Sequence, residues 1–160
     1  ITSSRNYRSP DNDTELEAIL NESKNYVWES SDAHASYLQN KIKATGRKIR
    51  WFCLVSKFEH GNVSYSIGVT NGWDSGVCGF YLVEKNKETD SYTDGKIRAI
   101  VESELECYTK WCNGEVYQYT LFGDDGEIED SCGDFYDIND IKDHLGSEWE
   151  NENLREYLKY

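Results

Sequence analysis

The stretch KIRWFCLVSKFEHGNVSYSIGVTNGWDSGVCGFYLVEK, Lys48 to Lys85, decides the fold. It contains three runs rich in β-branched and aromatic residues, KIRWFCLVSKFEHG, NVSYSIGVT and VCGFYLVEK, separated by turns of glycine and asparagine. Such runs pack well on a pleated, half-buried surface, so three strands are predicted.

Helices are predicted on both sides of these strands. DTELEAILNESKNYVWES (13–30) offers Asp13 as an N-cap, with Leu16, Ile19, Leu20 and Val27 at helical spacing. DAHASYLQNKIKATG (32–46) reads as a second short helix closed by Gly46. Beyond the strands, DGKIRAIVESELECYTKWCNG (94–114) has the clearest helical period in the chain. Ile97, Val101, Leu105, Tyr108 and Cys112 share a face, joined by Ile100 and Trp111, and Gly114 ends it. EVYQYTLF and EIEDSCGDFYD form a hairpin around Asp124-Asp125-Gly126, and residues 138–160 return to helix with a break near Gly146.

The order of elements predicts an α+β fold, with an antiparallel sheet of about five strands, amino-terminal helices, one long central helix and a carboxy-terminal helix. At 160 residues the chain suits a single domain, 13–160, after a flexible lead-in over 1–12 that carries the only proline. The first residue is isoleucine, so the natural start is expected upstream. No signal-peptide pattern opens the chain, and no apolar run approaches the roughly 18 residues that a membrane span needs. Cys53, Cys78, Cys107, Cys112 and Cys132 are odd in number and lack a CxxC pair, which suits reduced thiols in a cytoplasmic setting.

Charge is the strongest compositional signal. The net charge is −13, and residues 121–160 hold thirteen acids against three Lys/Arg. Within them GDDGEIEDSCGDFYDINDIKD, Gly123 to Asp143, carries nine carboxylates and one lysine. Residues 41–57 run the other way, with Lys41, Lys43, Arg47, Lys48, Arg50 and Lys57 against no acid. A body this negative repels nucleic acid and anionic lipid and attracts basic partners. Pairing of the basic segment with the acidic end of a second copy would give a homodimer.

Two segments carry a resemblance. FEHGNVSYSIGVTNGWDSGVCGFYLVEK (58–85) resembles a block of small bacteriophage and plasmid proteins, in which a His-Gly-type turn is followed by a strand, Pro-Trp-Asp-Ser-Gly and Gly-Phe-(Ile/Leu)-Tyr-Val. SELECYTKWCNGEVYQY (103–119) and DSCGDFYD (130–137) resemble a second block, with Gly-(Asp/Glu)-Val-Tyr-x-Tyr and Asp-Ser-Cys-Trp-Gly-Phe-Tyr-Gly. Gly72 stands where those proteins have proline, and Gly133, Asp134 and Asp137 replace Trp, Gly and Gly. The resemblance covers about half the chain. It implies a mobile-element accessory protein and carries no mechanism.

The acidic run does not read as a calcium loop, which needs oxygen ligands at positions 1, 3 and 5, Gly at 6 and Glu at 12. From Asp90, Tyr92 and Val101 break the pattern; from Asp137, Ile141 and Lys142 do. As a surface, Glu127, Glu129 and Ser131 are expected to alternate with Ile128, Asp130 and Cys132, spacing same-face carboxylates about 6.6 Å apart. Asp137, Asp140 and Asp143 follow at helical spacing, about 5–6 Å apart on one side. These separations suit cationic grooves that hold phosphates. The plainer alternative is a solubilising face.

His60 and Asp74, brought together by a strand hairpin, could act as a base and its orienter. A hydrogen-bonded structural His and a capped turn with a buried Trp73 indole form the plainer alternative. No nucleophile motif accompanies the pair. His34, His60 and His144 are far apart, so no metal set or cofactor is implied. Tyr108, Trp111, Tyr117 and Tyr119 would suit an oligonucleotide platform in a basic protein and suit a core in an acidic one.

The first functional expectation is therefore a binding protein. It would present Asp124, Asp125, Glu127, Glu129, Asp130, Asp134, Asp137, Asp140 and Asp143, with Phe135, Tyr136 and Trp149 as apolar anchors, to a basic nucleic-acid-binding host protein. An inhibitor of the anti-CRISPR or anti-restriction type, imitating nucleic acid, is the instance that fits. A small hydrolase or nucleotide-processing enzyme using His60 and Asp74, with a divalent ion on the acidic hairpin, is the second expectation. A non-inhibitory accessory protein is the third.

Overall fold

The computed structural model describes residues 13–70 and 72–158, so the lead-in expected over 1–12 lies outside them. The fold is α+β, and the chain divides into two compact units at Thr109–Lys110. Five antiparallel strands are present among the described residues. They form a three-stranded and a two-stranded sheet instead of one sheet of five.

In the first unit, α1 (Thr14–Ser23) and α2 (Ser31–Ala44) precede β1 (Ile49–His60), β2 (Asn62–Ile67) and β3 (Ser75–Glu84). Asp13 caps α1 by accepting from the Leu16 amide at 3.0 Å, as its position predicts. The helix stops well short of residue 30. Ser23 Oγ turns back to donate to Leu20 O at 2.7 Å, and Trp28 Nε1 folds over to donate to Ser23 O at 3.1 Å. Val27 is thereby left fully exposed instead of joining the apolar face.

The sheet order is β2-β1-β3, with both pairings antiparallel. Strand β1 is central, and its run WFCLV is partly or fully buried throughout, with Leu54 and Val55 buried on opposite faces. Leu54 and Phe80 face α1 and α2, packing with Ile19, Leu20, Leu38 and Ile42. The opposite face carries Val55, Tyr65 and Tyr81. Helix α3 (Asp94–Cys112) covers it, with Tyr108 against Tyr65 at 4.9 Å between ring centroids and Glu104 accepting from the Tyr81 hydroxyl. Ile97, Val101, Leu105, Tyr108 and Cys112 are buried, as their spacing predicts. Ile100 and Trp111 lie outside that stripe and stay partly exposed.

The second unit holds the end of α3, β4 (Tyr117–Phe122), β5 (Ile128–Phe135) and α4 (Ile138–Leu145). Short 3-10 turns follow Gly146, whose φ of 94° ends α4. Ile138, Ile141 and Leu154 form the core, with Tyr117, Tyr119, Phe135, Leu145 and Trp149 packed against it.

Two irregularities shape the β4–β5 hairpin. Leu121 pairs with Asp130 while Phe122 pairs with Ile128, so Glu129 is an extra residue on β5. Tyr117 pairs with Phe135 and Tyr119 with Cys132, which leaves a second extra residue near Asp134. Asp134 has φ of 64°, the one positive value among described non-glycine residues.

Candidate functional site

The acidic run begins in the tight turn after β4. The Gly126 amide donates to Gly123 O at 2.9 Å, and the Glu127 amide donates to Asp125 Oδ1 at 3.1 Å. Glu129 and Asp125 fold over the bare Gly123 backbone: a Cβ there would lie 2.7 Å from Glu129 Oε1 and 3.0 Å from Asp125 Oδ1. The turn therefore gathers these two carboxylates at its tip.

The bulge at Glu129 overturns the expected alternation. Because two residues of β5 span one step of β4, Asp130 shares the inner face with Leu121 and Tyr119, while Ile128 shares the outer face with Phe122. Asp130 accepts from the Tyr119 hydroxyl at 2.6 Å, and this bond, with burial and charge added, pushes Tyr119 up to about 12. The carboxylates thus flank the tip of the hairpin and do not line one strand face.

Asp137 is committed too, as the N-cap of α4, accepting from the Asn139 amide at 2.9 Å. Asp140 and Asp143 remain exposed on that helix. Asp124, Glu127, Glu129 and Asp134 are exposed as well. None of the nine carboxylates from Asp124 to Asp143 forms an ion pair with a described residue.

The aromatic anchors expected here are placed differently. Phe135 and Trp149 are partly buried against the core of the second unit, and Phe135 meets the His144 ring edge-on at 5.7 Å. Tyr136 is partly buried. The exposed apolar residues of the hairpin are Phe122 and Ile128, 64% and 63% accessible. Their sequence signal, an apolar residue on either side of GDDGE, was legible only as a hairpin arm.

The basic segment is largely spent within its own unit. Lys41 pairs with Glu22 at 2.8 Å, Arg50 with Asp94 at 2.7 Å, and Lys57 with Glu59. Arg47 pairs with Asp13 at 2.7 Å and Glu84 at 2.6 Å. Lys43 and Lys48, both exposed, are the basic residues of this segment outside these pairs.

At the tip of the three-stranded sheet, His60 Nδ1 lies 2.9 Å from Asp74 Oδ2. Gly61, with φ of 81°, turns β1 into β2 beside His60, and the Glu59 amide donates to Asp74 O at 2.9 Å. Both side chains are open to solvent, 77% and 45% accessible. The neighbouring turn is capped as expected, with Ser75 Oγ donating to Thr70 O at 3.2 Å, but the Trp73 indole is fully exposed instead of buried. A groove of about 440 Å³ in this unit is lined by Ser23, Trp28, His34 and Val77 among others, and neither His60 nor Asp74 belongs to it.

The two thiols of the three-stranded sheet offer no nucleophile to the pair. Burial pushes both Cys53 and Cys78 up to about 11, so neither ionises near neutrality. Among the described residues no three His, Cys, Asp or Glu side chains converge as a metal donor set. None of the helices described is long and apolar enough to cross a membrane. No family model, curated protein or solved structure matches the chain.

Proposed function

We propose that this chain is an acidic accessory protein of a bacteriophage or plasmid, acting in the host cytoplasm. It binds and inhibits a basic nucleic-acid-binding host protein, such as a CRISPR effector or restriction complex, by offering carboxylates where that protein expects phosphates. One observation carries this reading. Between Asp124 and Asp143 the fold holds nine carboxylates without an ion pair to any described residue, whereas the acids of the first unit repeatedly find Lys or Arg. Keeping like charges together costs stability that interspersed lysines would recover, and a cationic partner offsets that cost on binding.

Replacing Asp124, Asp125, Glu127, Glu129 and Asp130 with Asn or Gln is expected to abolish binding to a defence complex. Unchanged affinity overturns the reading.

The His60–Asp74 contact favours a second reading, a small hydrolase or nucleotide-processing enzyme in which Asp74 orients His60 as a base. It predicts turnover that is lost in His60→Ala. Against it stand the exposure of the pair and the un-ionised thiols of Cys53 and Cys78.

A further inference from the structure

Phe122 and Ile128 form a cross-strand pair on the outer face of the β4–β5 hairpin. Both are nearly two-thirds exposed, more than any other large apolar strand residue described; Phe58 on β1 follows at 46%. The bulge at Glu129 creates this placement, since a regular strand would carry Ile128 on the same face as Asp130. The rest of the outer face is uncharged: Thr120 opposite Ser131, and Gln118 beside Gly133. Asp124, Asp125, Glu127 and Glu129 crowd the tip next to the apolar pair. The hairpin therefore offers a flat arm, an apolar patch and a ring of negative charge.

Surfaces that bind duplexes hold phosphates with cations and read base edges, and they have little use for an exposed Phe–Ile patch between charges. Grooves that bind single strands combine cations along the backbone path with aromatic side chains on which bases stack. We infer that the partner of this hairpin is a protein groove built for single-stranded nucleic acid, with Phe122 and Ile128 taking the place of stacked bases and the tip carboxylates that of phosphates. This rests on the charge-based reading above and adds to it the kind of groove engaged.

The test uses two peptides that imitate the two kinds of surface. One is an oligo-lysine of about eight residues; the other has the same lysines interleaved with tryptophans. Binding to the full chain is measured by calorimetry at low salt. The tryptophan peptide is expected to bind at least about tenfold tighter, because its rings cover the apolar pair. Phe122→Ser with Ile128→Ser is expected to erase that preference while leaving oligo-lysine affinity unchanged, with an unaltered circular dichroism spectrum and thermal midpoint reporting that the chain remains folded. Equal affinities for the two peptides, or a preference that survives the double substitution, overturns the inference while leaving the charge reading intact. Failure of both peptides to bind, with the circular dichroism spectrum intact, sinks the charge reading and this inference with it.

Discussion

Tyr119 donates its hydroxyl hydrogen to Asp130 at 2.6 Å, and the bond exists because the bulge at Glu129 turns Asp130 to the inner face of its hairpin. The one-residue insertion leaves Ile128, two positions away, on the opposite face, where it pairs with Phe122. A single backbone irregularity thus separates the Asp130 contact from the apolar patch.

The Tyr119–Asp130 bond makes the hairpin sensitive to alkali. The folded chain keeps the Tyr119 proton up to about 12, whereas the unfolded chain releases it near the ordinary value of 10.0. The stability it confers is whole below the lower value and is lost as pH rises toward the upper one. Ultraviolet titration of Tyr119→Phe should lack one of the late-titrating phenols of the parent chain, which include Tyr37, Tyr92 and Tyr157, and that variant should lose less stability over the same alkaline range.

His34 acts at the other end of the scale. Ser23 Oγ gives its hydrogen to Leu20 O, so it accepts from His34 Nε2 at 3.1 Å. The imidazole stacks on Trp28 with 4.7 Å between centroids. Burial holds His34 below its ordinary value of 6.5, so on acidification the unfolded chain takes up a proton that the folded chain resists. Stability therefore falls as pH drops through that value. Thermal melts of His34→Gln should show a flatter profile between neutral and mildly acidic pH.

Arg47 ties the cap of α1 to the end of β3. Its Nη2 donates to Asp13 and its Nη1 to Glu84, while Asp13 also accepts from the Leu16 amide. The Leu16 bond first, and the Arg47 charge after it, hold the Asp13 carboxyl below its ordinary value against an opposing effect of burial. Asp13→Ala should cost about 1 kcal/mol in chemical denaturation through loss of the cap alone. Arg47→Lys should also destabilise, because an ammonium does not reproduce the two-pronged geometry.

Asp134 sits at φ of 64° beside the second bulge of β5. A β-branched side chain is strained there, so Asp134→Val should cost about 1–2 kcal/mol. Asp134→Gly, which adopts this conformation freely, should fold at least as stably as a non-glycine variant such as Asp134→Ala. Comparing the three by denaturant midpoint separates backbone strain from lost charge.

Much of the local structure was legible in single residues. Asp13 marked a helix start, Gly46 and Gly114 helix ends, and Gly61 and Gly126 turns, because caps and positive φ values depend on neighbours within a few positions. The buried stripe of α3 followed from its 3.6-residue period. Ile100 and Trp111 were misplaced because periodicity says which residues share a side, but the width of the buried stripe is set by what packs against it. Val27 was misplaced for another reason: α1 ends at Ser23, before reaching it.

The sequence by itself determined the kinds of element, their order, the α+β class and the crowding of negative charge near the carboxyl terminus. All of these depend on composition or on spacing along the chain. Only the tertiary structure decided that five strands form two sheets, that Phe135 packs inward while Phe122 faces out, and that Asp130 bonds to Tyr119. Strand partners are chosen across distance, and one extra residue in a ladder of period two exchanges the faces of every residue beyond it.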